Sequence, residues 1–180
     1  MLSLPGIKDI EYLTKGKRGL VYTGIYKNKK VAIKIKHPES KADGRIKNEG
    51  VWLKKLNKYK IGPKLLKSTS DYLVCEFIEG DTFVLCLEKG KLSKKGILQV
   101  IESVLEQCFI LDKLKVDKKE MHHPVKHIIV NPKLKPVMID FERCHIVDIA
   151  KNVTQFVDFL MRFNLLLSKY DILVDKDKII

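Results

Sequence analysis

The chain has 180 residues, 45% of them apolar and 32% charged, with a net charge of +13; this suits one sizeable folded unit, or two lobes sharing a groove, and excludes two large independent domains. No Gly/Ser, Pro or Gln/Asn tract marks a disordered segment, no apolar run approaches the ~20 residues of a membrane span, and the start MLSLPGIKDIEY lacks a signal peptide's apolar core, so a cytoplasmic location with no membrane partner is expected. The cysteines Cys75, Cys86, Cys108 and Cys144 form no C-x-x-C pair and sit mostly in apolar runs, which suits reduced core thiols better than a disulfide framework or a zinc site.

The first 80 or so residues read mostly as strands. EYLTK, LVYTGIY and KVAIKIK alternate apolar and polar residues and are separated by GKRG and YKNKK, predicting a three-strand antiparallel meander. A helix is expected from Ala42 to Lys58, where Ile46, Glu49, Leu53 and Leu56 recur at spacings of three and four before the stop signals Gly62 and Pro63. A hairpin follows, LLKST paired with DYLVCEF. From Asp81 the pattern turns helical: Leu92 to Leu114 carries a long stripe of Ile97, Ile101, Val104, Leu105, Cys108, Leu111 and Leu114. HIIVN and PVMID flank a Pro-containing turn and predict a second hairpin. Asn152 is placed as the N-cap of a last helix running through Leu167.

Several residues carry chemistry. Gly16 and Gly19 bracket a turn whose backbone N–H groups can approach phosphate. Lys34 closes VAIK in the third strand, where it shares a pocket with that turn. Glu49 falls in the apolar stripe of its helix, where an unpaired carboxylate is expensive, so it needs a cation and Lys34 is the one expected. Asp140 ends the strand PVMID, and His127 begins the strand that pairs with it, which predicts that the two are neighbours.

In this order, a Gly-rich turn, VAIK, a helix glutamate, a hairpin ending in VCEF, a polar loop and then DF after a hairpin, the sequence resembles the protein-kinase signature. It is similar in particular to the small atypical archaeal kinases predicted to act on serine or threonine, with the RIO kinases and the kinase subunit of the KEOPS complex as cousins. The likeness runs from Glu11 to Phe141. It implies an α+β, minimal two-lobed protein-kinase-like fold, with an antiparallel-sheet lobe of residues 1–78 and a reduced, mostly helical lobe of residues 79–180, and ATP and Mg²⁺ between them. On that resemblance Gly16 and Gly19 cover the ATP phosphates, with Thr14 replacing the first loop glycine, and Val21 lines the nucleotide. Lys34 contacts the phosphates and pairs with Glu49. Cys75 is the gatekeeper, the backbone of Glu76 and Ile78 serves the adenine, and Asp140 binds the metal. Glu142 stands where the motif has glycine, against the usual in/out flip.

The catalytic loop departs further. Counting back from Asp140 puts His127 where the second metal-binding asparagine belongs. The base is then Glu120, read from DKKEM with two extra loop residues, or His122, read from strict spacing. Imidazole is a poor magnesium ligand, which makes one metal, or Mn²⁺, the expectation. A zinc site of His122, His123 and His127 is disfavoured by Pro124 and the β-branched run after it, and by the lack of an H-E-x-x-H pattern. Between Phe141 and the last helix there is almost no room for an activation segment, no A-P-E motif appears and only one helix follows, so a folded protein or ribonucleoprotein docking on the basic surface is a better substrate than a flexible peptide. The expected activity is ATP-dependent phosphorylation of Ser or Thr, or ATP hydrolysis serving as a switch. The rivals are a catalytically inactive nucleotide-binding adaptor and a basic RNA-associated protein that keeps the fold.

Overall fold

The computed structural model describes residues 2–16, 19–36, 44–175 and 178. The architecture is mixed, with helices and antiparallel strand pairings, an α+β arrangement. The chain divides into two compact units, Met1–Ile78 with Asp140–Arg143, and Glu79–Ile139 with Cys144–Ile180. The short segment at 140–143 thus returns to the first unit.

In the first unit, β1 (Ile7–Lys15), β2 (Gly19–Tyr26) and β3 (Lys29–Lys36) form the meander, and β4 (Leu65–Ser68) with β5 (Tyr72–Glu76) completes a sheet of order β1-β2-β3-β5-β4. Period-two alternation sends Val31 and Ile33 of β3 to one face, where they are fully buried with Ile7 and Val74 and covered by Tyr22, Tyr26, Leu66 and Tyr72. Between β3 and β4 runs α1 (Arg45–Leu56), with Ile46, Glu49, Trp52, Leu53 and Leu56 buried. It starts at Arg45, after Gly44 in the left-handed region (φ 73°); Ala42 and Asp43, assigned to it from sequence, lie outside the described residues. It stops at Leu56, two residues before Lys58, in a 3-10 turn at Asn57–Tyr59. Asn57 explains the stop, because its side chain serves the segment beyond. Its Nδ2 donates to the carbonyls of Ile61 (3.1 Å) and Pro63 (3.0 Å), and its Oδ1 accepts from Leu65 N–H (2.7 Å).

The second unit opens with β6 (Asp81–Thr82) and α2 (Phe83–Glu88), followed by α3 (Lys94–Lys113). The hydroxyl of Ser93 caps α3 by accepting from Gly96 N–H (3.2 Å), and Ile97, Ile101, Val104, Cys108 and Leu111 of the predicted stripe are buried. After β7 (Val116–Asp117), the hairpin of β8 (Ile128–Val130) and β9 (Pro136–Met138) pairs Ile128 with Met138 and Val130 with Pro136. Asn131 closes its turn, accepting from the N–H groups of Lys133 (2.9 Å) and Lys135 (3.0 Å). β10 (His145–Ile146) pairs with β7, and β6 adds to the hairpin.

The last helix differs from the expectation. It is α4 (Asn152–Arg162), interrupted at Phe163 and followed by α5 (Asn164–Leu167). Asn152 is its first helical residue, not its cap. Asp112 of α3 does the capping, accepting from the N–H groups of Asn152 (2.8 Å) and Val153 (3.1 Å). The fully buried Asn152 side chain instead donates to Asp112 Oδ1 (2.6 Å) and the Val116 carbonyl (2.7 Å) and accepts from Lys118 N–H (3.0 Å), tying α3, β7 and α4 together. No helix among the described residues is long and apolar enough to cross a membrane.

Candidate functional site

The face of the first unit's sheet opposite Val31 and Ile33 carries Lys34. In the antiparallel register Lys34 stands across from Val21 on β2 and Leu73 on β5, so the three side chains share that face. Gly19 lies at the start of β2: a Cβ there would come within 3.4 Å of Lys34 Cε and 3.0 Å of the Ile35 carbonyl. Glycine therefore leaves the lysine stem uncovered. The turn ahead is closed by Gly16 N–H donating to the Gly19 carbonyl at 2.9 Å, while Lys17 and Arg18 within it lie outside the described residues.

Helix α1 presents Glu49 to this lysine, Oε2 to Nζ at 2.7 Å. Two further carboxylates reach the same ammonium from residues 140–143: Asp140 Oδ1 at 3.0 Å and Glu142 Oε2 at 3.2 Å. That segment is fastened to α1 along its length. Phe141 N–H donates to Glu49 Oε1 (3.3 Å), the Glu142 carbonyl accepts from Asn48 Nδ2 (2.9 Å) and Arg45 Nη1 (3.4 Å), and the Phe141 ring is fully buried. Asp140 itself takes a left-handed backbone (φ 64°), a conformation aspartate tolerates better than most residues.

Three carboxylates converge on one ammonium, and the ionisation of the group reflects that. Burial works to lower the pKa of Lys34, but Glu49, Asp140 and Glu142 outweigh it and hold the side chain charged, well above the ordinary lysine value. Burial pushes the Glu49 carboxyl up from its ordinary value, Lys34 pulling it down and Asp140 pushing it further up. Carboxylate oxygens of Glu49, Asp140 and Glu142 lie within 4.8 Å of one another. An all-oxygen set of this kind suits a hard cation such as magnesium or manganese.

Cys75 stands across β3 from Ala32 and is buried; burial, with Glu49 and Glu76 adding, pushes its thiol well above the usual range. Glu76 N–H donates to the Lys64 carbonyl (3.0 Å), and one oxygen of its carboxylate accepts from Lys64 N–H (2.8 Å). Ile78 is the last residue of the first unit before the crossing at Glu79.

Glu120 and His127 belong to the second unit, where His127 Nδ1 lies 3.0 Å from Glu120 Oε2. The loop between them is a succession of turns, His123 N–H donating to the Glu120 carbonyl (3.2 Å) and His127 N–H to that of Pro124 (3.0 Å). His127 also carries the hairpin register one step on, its carbonyl accepting from Ile139 N–H (2.9 Å). His122 and His123 are exposed, and among the described residues they belong to no group of three side chains able to hold a metal; the His122 carbonyl accepts from Arg162.

Three residues here escaped the sequence reading: Glu142 as a third carboxylate on Lys34, and Arg45 and Asn48 as anchors of its backbone.

No family model matches the chain. Over 101 residues it is 25% identical to a protein of Bacillus subtilis (strain 168) that bears the name "Putative serine/threonine-protein kinase YrzF". The match takes in 56% of this chain and 46% of that protein, less than half its length. A distant likeness to a kinase-named protein therefore stands beside the geometry.

Proposed function

We propose that the chain is a small atypical protein kinase of the two-lobed type, akin to the archaeal, RIO and KEOPS kinases, that transfers phosphate from ATP to serine or threonine. The observation that carries this reading is Lys34 held by a helix glutamate and by Asp140 beside a glycine-bounded turn. Phosphoryl transfer asks little more of a protein than a fixed cation for phosphate, oxygen ligands for a metal and a base for the acceptor hydroxyl. Lys34 supplies the first. Asp140 and Glu142 offer the oxygens, and magnesium or manganese bound with the nucleotide would neutralise phosphate charge there. Val21, Gly16 and Gly19 line the nucleotide, and the Glu76 carbonyl and Ile78 serve its base.

In the second unit Glu120 acts as the base, with the imidazole of His127 3.0 Å from its carboxylate. A glutamate in place of aspartate displaces the carboxylate by roughly 1 Å, a shift that can cost about a hundredfold in rate. Turnover is slow on this reading, and an ATPase switch or a folded protein or ribonucleoprotein substrate fits it better than efficient peptide phosphorylation.

The test is ATP binding and phosphate release with magnesium and with manganese, on wild type, Asp140→Ala and Glu120→Gln in parallel. Turnover by wild type and its loss in both variants supports the assignment. Nucleotide binding with phosphate release no greater than in Asp140→Ala makes the chain a nucleotide-binding adaptor. Absence of nucleotide binding refutes the proposal.

A further inference from the structure

Helix α1 turns Glu49 inward to Lys34, and its outward side is built mostly of lysine. Lys47, Val51, Lys54 and Lys55 are exposed there, at spacings that place them on one side of the helix. Lys58, Tyr59 and Lys60, also exposed, continue the row past the helix end. From Gly44 to Ser70 the only acidic residue is Glu49 itself. No ion pair among the described residues takes in the lysines of this row, and Lys55 lies instead over the Trp52 ring, Nζ 4.8 Å from its centroid.

A face that is merely solvated interleaves its charges. That is the case on α3, where the exposed Lys94, Lys95 and Lys113 share the surface with Glu102 and Glu106. The row on α1 does not serve its own helix either. The helix dipole favours cations in the last turn, where Lys54 and Lys55 stand, but opposes them in the first, where Lys47 stands and no acidic residue is present. Lys54 and Lys58, one turn apart, repel each other.

The composition of the face chooses among polyanions. A protein interface is anchored by apolar and aromatic side chains and is poor in lysine, whereas this face sets five lysines around Val51 and Tyr59. The phosphates of a nucleic-acid strand call for cations in a row, and from Lys47 to Lys58 the row runs roughly 16 Å at the rise of an α-helix. A single strand also has bases to stack, and the exposed Tyr59, between Lys58 and Lys60 in the chain, offers a ring. RNA is the nucleic acid most often recognised in single-stranded form.

We propose that the outward side of α1 and the turn after it form a docking surface for single-stranded RNA, the lysines holding phosphates and Tyr59 stacking a base. The surface lies on the side of α1 away from Glu49, and the proposal stands whether or not the chain transfers phosphate from ATP.

The probe is a fluorescein-labelled oligouridylate of about a dozen nucleotides, its binding followed by anisotropy over a series of salt concentrations. With about four phosphates contacted, log affinity against log salt should slope near −3 for wild type. Lys54→Glu with Lys58→Glu should weaken binding at least about tenfold and flatten the slope by about 1.4. Tyr59→Ala should weaken it at least about fivefold and leave the slope alone. Lys94→Glu with Lys95→Glu, on α3, makes the same change in net charge elsewhere and should cost less than about threefold. Lys47→Glu, at the other end of the row, carries the test if circular dichroism shows that the first double variant does not fold. Equal losses from the two double variants would reduce the attraction to net charge and overturn the proposal, as would a wild type that does not bind at low salt. No loss in Tyr59→Ala, or tighter binding of an RNA duplex of the same length, overturns the single-strand assignment. Competition by a polyglutamate peptide as effective as that by unlabelled oligouridylate overturns it in favour of an acidic protein.

Discussion

Replacing Lys34 by methionine keeps most of the stem and removes the ammonium on which Glu49, Asp140 and Glu142 converge at 2.7, 3.0 and 3.2 Å. Breaking a buried ion pair from one side costs about 3–5 kcal/mol, because the other charge stays behind without its partner. Lys34 is 16% and Asp140 30% exposed, which lets water share the burden and puts the expectation near the low end, about 3 kcal/mol. Trp52, the chain's single tryptophan, is buried on α1 three residues from Glu49, so its fluorescence during urea unfolding reads the first unit directly. The loss should depend on pH in a definite direction. The Glu49 carboxyl already lies above its ordinary value through burial, and without Lys34 it rises further. A folded state that holds a proton the unfolded state has released loses stability as pH rises, and regains it on acidification. Lys34→Met should therefore recover much of its deficit between pH 7 and pH 5. A variant within about 0.5 kcal/mol of wild type at pH 7 would refute the reasoning, as would a deficit that stays constant across that range.

Gly62 has φ 78°, and a Cβ there would lie 2.8 Å from Leu53 Cδ2 and 2.9 Å from Phe141 Cε2; Gly62→Ala should cost about 2 kcal/mol by the same tryptophan readout, and a neutral effect would mean the buried Phe141 ring is not held fixed against Gly62. Asn152→Ala leaves Val116 and Lys118 backbone groups and the Asp112 carboxylate short of a partner, so urea unfolding followed by circular dichroism should show a loss of about 3 kcal/mol, and a loss under 1 kcal/mol would count against the network. All four thiols are buried, and burial pushes those of Cys75 and Cys108 far up; a disulfide reagent at pH 8 should modify them at a rate that rises with urea as unfolding does, and a thiol reacting at once in buffer would contradict that.

The strands of the first unit and the stripe of α3 could be read from the sequence because each repeats its pattern several times. KVAIKIK shows three apolar positions at period two, and α3 shows its stripe over five turns, so packing and pattern agree. The two-residue strands β6, β7 and β10 have no period to read. They exist because partners elsewhere in the second unit complete their hydrogen bonds, Thr82 opposite Ile129 and Asp117 opposite His145. The N-terminus of α4 was misread for a related reason. Asn152 has the right side chain for a cap, but Asp112, supplied by α3, carries a full charge to the same N–H groups and frees the asparagine for a buried junction that no local spacing reveals.

The site divides along the same line. The pairing of Lys34 with Glu49 was legible because a carboxylate in the apolar stripe of α1 demands a cation, and the alternation of β3 offers one. Glu142 makes no such demand on the page of the sequence: in the short charged stretch DFER it looks like surface. Its burial follows from what lies on either side of it. Phe141 is drawn into the first unit's interior, Asn48 and Arg45 on α1 capture the Glu142 carbonyl, and the Glu142 carboxylate lies against Lys34. A side chain placed by its neighbours' packing, and not by its own polarity, leaves no mark in the local sequence pattern. Lys34 is therefore held charged by three carboxylates from two segments of the first unit, and burial pushes the carboxyl of Glu49, the most enclosed of them, up from its ordinary value.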